Sequence, residues 1–376
     1  MTSMSRTPRV SICVPNLNTR PFLPERFATI FSQTLEDWEL LAYDGYSDDG
    51  AWEYLSDLAR REPRMRVWQG PRQGTPGSWN PCIAAARGEF VYVATSDDTM
   101  APDCLEKMVA ALDAHPECAL AHCPLRVIDE HGKDIPRLQE AWSEWSYFAR
   151  SSGQLRDRPH VRLAPFDGLL HLGGETVYRS ITQLLIRRTL FESIGMFEST
   201  WGSVGDFDWE MRAGLVANTV HVPHTWGGWR IHASQATAYT SFGSEEHGQK
   251  IDGMIDHAVA ACRSGLEPLV ARHMRSWVAR AKDLRKFNRE LVRRLDDAIA
   301  RRRFIIERLV TGSAAARAHV LCKLSGRVPE EFHERVRHWL EDAGVRAVLV
   351  PSSPLGAEDE VARRSGHAAS WRERSS

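Results

Sequence analysis

Short apolar runs alternate with longer amphipathic ones through the first 125 residues. Val10 to Pro15 is an apolar run of strand length, followed by the polar loop Asn16 to Arg20 and a helical pattern from about Pro24 to Gln33. Trp38 to Tyr43 predicts a second strand, ending at Asp44-Gly45, and Ala51 to Arg60 a second helix. Met65 to Trp68 predicts a third strand. Trp79 to Arg87 predicts a helix broken by Gly88, and Phe90 to Thr95 a fourth strand. In Cys104 to His115, Leu105, Met108, Val109 and Leu112 fall at helical spacing, and Cys118 to Cys123 predicts a fifth strand. This alternation predicts an α/β fold with a mainly parallel, doubly wound sheet. Right-handed crossovers then place the loops after successive strands on one sheet edge.

The pattern weakens from Ile135 to Pro165, a stretch rich in Trp, Arg and Ser that predicts a long, partly helical excursion. It sharpens again with a strand over Gln183 to Ile186 and a helix over Thr189 to Ile194 closed by Gly195. A short helix over Asp206 to Leu215 and a strand over Val220 to Pro223 follow. Beyond about residue 245 the composition shifts. Ala271 to Leu309 is one long helical pattern in which Trp277, Leu284, Leu291, Ala298 and Ile305 recur every seven residues. That stripe is a packing face, suited to docking on the rest of the chain or to a homodimer through residues 271–309. The Arg-rich outer faces are either a solvated surface or a peripheral contact with anionic lipid. Pro329 to Val350 predicts a helix and a strand, and the polar tail 351–376 is expected to be mobile.

Composition narrows the class. The 376 residues carry a net charge of -1, which argues against nucleic acid as a partner. The seven cysteines include no CxxC pair, which points to thiols in a reducing compartment. The N-terminal residues have no apolar signal core, and no run approaches the roughly 20 apolar residues of a membrane span. These features predict a cytoplasmic location, with or without peripheral membrane contact.

Polar chemistry collects where the strands end. Pro15-Asn16-Leu17-Asn18 follows the first strand and Asp44-Gly45-Tyr46-Ser47-Asp48-Asp49-Gly50 the second. Asp97 and Asp98 follow the fourth, and Gly205-Asp206-Phe207-Asp208 opens a later helix. Each alone is ordinary turn or cap chemistry. Together they lie where open α/β sheets bind ligands, and paired carboxylates suit a hard divalent cation.

At these residues the chain resembles the family 2 glycosyltransferases, which have the glycosyltransferase A fold and use nucleotide sugars. The resemblance runs from Val10-Ser11-Ile12-Cys13-Val14-Pro15-Asn16 through Asp44-Gly45-Tyr46-Ser47, Asn80, Gly88, Asp97-Asp98 and Asp206 to Trp229-Arg230-Ile231-His232. It implies a Rossmann-like catalytic domain over 1–245, with a nucleotide-binding half (1–125) and an acceptor half (126–245). A helical extension over 246–350 would follow.

The resemblance also implies roles. Asp44 would accept a hydrogen bond from the imide of a uracil or thymine base, favouring a UDP- or dTDP-sugar. Pro15, Asn16 and Asn18 would line base and ribose, Arg72 and Arg87 the phosphates. Asp97 would sit on the donor, and Asp98 with His232 would hold Mg2+ or Mn2+. Asp206 would be the catalytic base that takes the proton of the acceptor hydroxyl, with Asp208 as a second candidate. The implied activity is inverting, metal-dependent transfer of a sugar to a glycan or lipid-linked acceptor, as in polysaccharide biosynthesis.

Two positions depart from the family pattern: Thr95 stands where an Asp is common, and Gly205 where a Glu is common. They leave open a catalytically silent nucleotide-sugar-binding module. A nucleotidyltransferase of related fold is the other alternative, although Asn16-Leu17-Asn18-Thr19 is not its Gly-rich triphosphate loop. Trp142, Trp145, Tyr147, Trp201, Trp226 and Trp229 form an aromatic set suited to sugar stacking or to core packing.

Overall fold

The computed structural model describes residues 7–136, 138, 157–174, 176–236, 245–262, 265, 266, 271–287, 289, 290, 330–342, 347 and 348. Trp142, Trp145, Tyr147, most of 288–309 and the tail 351–376 lie outside the described residues.

The strands are β1 Val10–Asn16, β2 Trp38–Asp44, β3 Met65–Gln69, β4 Phe90–Val93, β5 Thr99–Met100 and β6 Cys118–His122. They continue with β7 Leu125–Ile128, β8 His160–Arg162, β9 Leu184–Arg187, β10 Asn218–His221, β11 Gly227–Arg230 and β12 Ala347–Val348. Nine of them form one sheet in the order β12-β8-β10-β6-β9-β4-β1-β2-β3, and β5-β11-β7 form a second, small sheet. β1 and β2 are buried along their whole length. Helices cover both faces of such strands, which is why they read as near-continuous apolar runs. Parallel register carries β1 to Asn16 opposite Asp44 of β2, so both strands deliver their last residues to the same edge.

The early helices α1 Leu23–Phe31, α2 Ala51–Arg61, α3 Asn80–Ala85 and α4 Cys104–Ala114 fall where periodicity places them. α3 is shorter than expected because a 3-10 turn, Gly77–Trp79, takes its first residue and the backbone turns extended at Ala86. Two cores result. On one face Leu23, Phe27 and Ile30 of α1, Leu55 of α2 and Leu105, Met108 and Leu112 of α4 pack on the sheet. On the other, Cys82 and Ile83 of α3 join Leu169, Met211, Met254, Met274 and Trp339 from later helices.

The structure differs from the sequence expectation in the second half. β9 is antiparallel to both β4 and β6, so its entry rather than its exit faces the strand-end edge. β7 and the helices Phe166–Gly173 and Glu245–Cys262 were not anticipated. Their burial, not their periodicity, makes them regular: every residue of Phe166–Gly173 is buried. The described part of the expected long helix, 271–287, buries Met274, Ala281 and Leu284 in the chain's own core. Of the two uses expected for its stripe, docking on the rest of the chain is the one seen there. The boundary expected at 245 is therefore no break in packing. Among the described residues, no helix is long and apolar enough to cross a membrane.

The helices Phe166–Gly173 and Asp206–Val216 cross backbone to backbone. A Cβ on Gly168 would lie 2.5 Å from Leu215 N, and one on Gly214 would lie 2.5 Å from Gly168 N. Gly214→Ala is expected to force the helices apart and cost about 1–3 kcal/mol, read as a lowered urea midpoint. An unchanged midpoint would show that the crossing is not a constraint.

Candidate functional site

A cleft of about 330 Å³ opens along the strand-end edge. Pro15 and Asn16 at the end of β1, Leu17 just beyond it, Gly45 after β2, and Thr95 to Asp98 after β4 line one part of it. Arg72 to Thr75, Arg179 to Ile181 before β9, Asp206, Trp229 and His232 line the rest. Residues separated by nearly the whole sheet in sequence thus share one space.

Asp44 is the hub of the first wall. Its Oδ1 accepts from Asn16 Nδ2 and Ser47 Oγ, both at 2.6 Å. Its Oδ2 accepts from Ser47 N at 3.0 Å and Gln69 Nε2 at 2.9 Å. Burial alone would raise its pKa, but the bonds from Gln69, Ser47 and Asn16 hold it below the usual carboxylate range. Asp44 is fully buried and is not among the lining residues. Its four accepted bonds all come from the wall itself, so in this fold Asp44 shapes the wall rather than lining the cleft. Asn18 is likewise a fastener between loops, donating from its N to Ser47 Oγ and accepting from Asp48 N. Arg72 lies in the cleft, its guanidinium donating to the carbonyls of Gly45 and Tyr46 at 3.1 Å.

Arg87 does not belong to the cleft. It ion-pairs with Glu39 at 2.8 Å, and Glu39 pairs in register with Ser11 near the start of β1. Arg87 therefore sits at the opposite edge of the sheet, and the phosphate role expected for it is withdrawn.

The small sheet assembles the acidic centre. β11 pairs with β5 and β7, which brings Arg230 to His232 back onto Asp97 and Asp98. Arg230 N donates to Asp98 Oδ1 at 2.8 Å, and Arg230 Nε donates to the Asp97 carbonyl at 2.7 Å. The same guanidinium donates to the Asp129 and Glu130 carbonyls and to Glu25. Thr95 donates its hydroxyl to Asp98 Oδ2. Both oxygens of Asp98 are thus engaged, and the residue is buried. Burial and then the charge of Asp97 push Asp98 up to about 7. Asp97 is more open, with its side chain 23% exposed, and its Oδ2 lies 3.0 Å from His232 Nε2. His232 is oriented by Ser234 Oγ at 3.0 Å and by the Phe22 ring, 4.5 Å away between centroids.

Asp206 is the first residue of the helix Asp206–Val216 and lines the cleft. Its Oδ1 accepts from Phe207 N at 3.0 Å. Burial outweighs that bond and pushes Asp206 up to about 6. Gly205 beside it has no room for a side chain: a Cβ would lie 2.7 Å from both the Glu198 carbonyl oxygen and Pro76 Cδ. The departure at 205 is thus steric. Asp208 is structural, buried between Arg212 at 2.9 Å and His257 at 2.7 Å. Of the aromatic set, Trp229 lines the cleft, while Trp201 and Trp226 pack against the two cores.

Sequence reasoning passed over the roles of Arg230 and Thr95. Arg230 was visible only as part of a motif, and its partners lie about a hundred residues or more away in the chain. Thr95 was read as a lost carboxylate; in the fold its hydroxyl is what fixes Asp98.

Residues 11–194 match the family model described as glycosyl transferase family 2. The O-antigen biosynthesis protein RfbC of Myxococcus xanthus is 33% identical over 144 residues, 37% of this chain and 11% of that protein. EpsE of Bacillus subtilis is 30% identical over 151 residues, 40% of this chain and 54% of that protein. The chain thus spans little more than half of the one relative and a small part of the other. Among solved structures, S. aureus TarS 1-349 in complex with UDP-GlcNAc aligns with a TM-score of 0.54 at 13% identity, covering 89% of each chain. That likeness is one of fold.

The raised pKa of Asp98 makes ligand-free stability depend on pH. A carboxyl that holds its proton more tightly when folded stabilises the fold below its unfolded pKa of about 4 and loses that contribution as pH rises. The melting temperature is expected to fall between about pH 4 and 7, less steeply in Asp98→Asn. Identical slopes in the two proteins would show that Asp98 ionises freely.

Proposed function

Since its residues 11–194 belong to glycosyl transferase family 2, we propose that this chain moves a sugar from a nucleoside-diphosphate sugar to a hydroxyl acceptor, with inversion. The observation that carries the reading is the pairing of two unlike acidic sites in one cleft. Asp97 with His232 forms one, and Asp206, alone and raised toward neutrality, forms the other.

The donor fits the first wall. Asn16, the Gly45 backbone and Arg72 line the side reached by β1 and β2. Because the oxygens of Asp44 are committed to Asn16, Ser47 and Gln69, they give no ground for preferring a uridine or thymidine base over guanosine.

The donor set fits a divalent cation. Among the described residues, no group of three or more His, Cys, Asp or Glu forms a metal cluster. Mg2+ sites in phosphate-handling proteins commonly use one or two protein carboxylates plus the substrate's phosphates. Asp97 and His232 are such a partial set, since His232 engages Oδ2 and no other bond to the Asp97 carboxylate is present among the described residues. The roles expected of the two aspartates are exchanged in this proposal: Asp97 and His232 would hold Mg2+ or Mn2+, and buried Asp98 would fix the backbone beneath them. The cation would neutralise charge on the departing diphosphate.

Asp206 takes the proton of the attacking hydroxyl. A carboxylate near pKa 6 is still ionised at neutral pH yet basic enough to accept a proton in the transition state. The setting that the relatives' names suggest is surface polysaccharide assembly, with a glycan or lipid-linked acceptor.

Two variants separate the roles. Asp206→Asn is expected to lower the rate of transfer about 100-fold or more while donor affinity, measured by calorimetry, stays within about threefold. Asp97→Ala is expected to abolish Mn2+-dependent donor binding. Transfer at the native rate in Asp206→Asn would remove it as the base, and a parallel loss of donor affinity would make it a binding residue.

A further inference from the structure

α1 carries one residue that its packing does not explain. Leu23, Arg26, Phe27 and Ile30 are the buried positions of that helix, and Arg26 stands wholly buried among its apolar neighbours. Among the described residues, none of its three guanidinium nitrogens has a hydrogen-bond partner. The guanidinium carbon lies 5.8 Å from the centroid of the Tyr92 ring on β4. The Tyr92 hydroxyl is engaged elsewhere, donating to the Thr182 carbonyl at 2.8 Å. A charge buried without hydrogen bonds is costly, and a cation over a ring offsets only part of that cost. An arginine cannot shed its proton to escape it. For the fold alone, an apolar residue would serve better at this position.

What lies beside Arg26 is the acidic wall. Leu23 and Phe27 of α1 share a core with Met100 and Ala101, just beyond Asp98. Gln33, after the end of α1, donates from Nε2 to the Ala101 carbonyl at 2.7 Å. Burial and the charge of Asp97 push Asp98 up, and the bonds from Thr95 and Arg230 together with the charge of Arg26 oppose that rise. Asp97 and Asp98 both line the cleft. The other buried cation here, Arg230, already has a counterion, since its guanidinium pairs with Glu25 at 2.6 Å. Arg26 is therefore the buried cation set against Asp97 and Asp98.

We propose that Arg26 is a fixed countercharge behind the acidic wall, which weakens the wall's hold on a bare divalent cation and strengthens its hold on the donor diphosphate. This rests on the cation reading given above. A buried charge acts through a medium of low dielectric and is little screened by salt. From its place behind Asp98 it repels Mg2+ or Mn2+ and attracts the diphosphate. The attraction between cation and diphosphate is a separate interaction and is left unchanged. Arg26 thereby makes the cleft take up and release the cation together with the nucleotide, not keep it between turnovers. It does so by position alone: no proton moves, and a wholly buried side chain touches neither ligand.

The test compares the native chain with Arg26→Met at about pH 8.5, above the range in which Asp98 changes charge. Free Mn2+ is followed by electron paramagnetic resonance, and binding of UDP, dTDP and GDP by calorimetry, each ligand alone and then with Mn2+. Arg26→Met is expected to bind Mn2+ alone about tenfold more tightly, and the best of the three nucleotides alone about tenfold more weakly. The factor by which Mn2+ and nucleotide strengthen each other is expected to stay within about threefold of the native value, because a fixed charge acts on the two additively. A residue that only supports the shape of the cleft would weaken both ligands when replaced. That result, or unchanged affinities, would overturn the proposal. Should Arg26→Met fail to fold, Arg26→Gln carries the same expectation, and failure of both neutral variants to fold would make Arg26 structural and overturn it as well. A native chain that binds a nucleotide but never Mn2+ would remove the cation reading and this proposal with it. Mn2+ bound together with nucleotide in the native chain, with no opposite shifts in Arg26→Met, would sink this proposal alone.

Discussion

The cleft depends on the bond from the main-chain N–H of Arg230 to Asp98, 2.8 Å long. It joins the small sheet to the end of β4 across more than a hundred residues. A buried carboxylate lacking such a donor would be strongly disfavoured, so the fold must supply either the bond or a proton. With the bond in place, His232 two residues later is carried to Asp97. The guanidinium of Arg230 then ties down the carbonyls of Asp97, Asp129 and Glu130. One residue therefore shapes the acidic wall through its backbone and its side chain at once.

Asp44 plays the matching part on the other wall, satisfied by Asn16, Ser47 and Gln69. These buried acids spend their oxygens on geometry, whereas Asp97 and Asp206 face the space between the walls. The division follows from burial and bonding more than from residue type, which is why equal-looking aspartates do different work here. The C-terminal helices take part: Arg285 caps the carbonyl end of Phe166–Gly173, and that helix backs the one that Asp206 opens.

The nucleotide half was largely legible in the sequence. β1 to β4 are short apolar runs ending in polar turns, and buried parallel strands leave that mark. Asp97, Asp206 and His232 were found for the same reason, since each closes or opens a regular element. What was not legible depends on distance. β5 has two residues and β7 has four, too few for a period, and they become strands only because β11 arrives between them. Arg87 misled because a cation after a helix reads alike at either end of a sheet, and only its bond to Glu39 shows which end it occupies. The exchange proposed between Asp97 and Asp98 was invisible for a similar reason. Adjacent aspartates have the same chemistry until one is buried by a partner 132 residues away.

The central claim is that one cleft holds a cation with its diphosphate while Asp206 faces the acceptor. A crystal structure with Mn2+ and a nucleoside diphosphate tests it directly, through the anomalous signal of the metal. The account requires a single manganese peak about 2 Å from Asp97 and His232, with the diphosphate in the same cleft as Asp206. Manganese bound elsewhere, or a nucleotide seated away from this cleft, would contradict it.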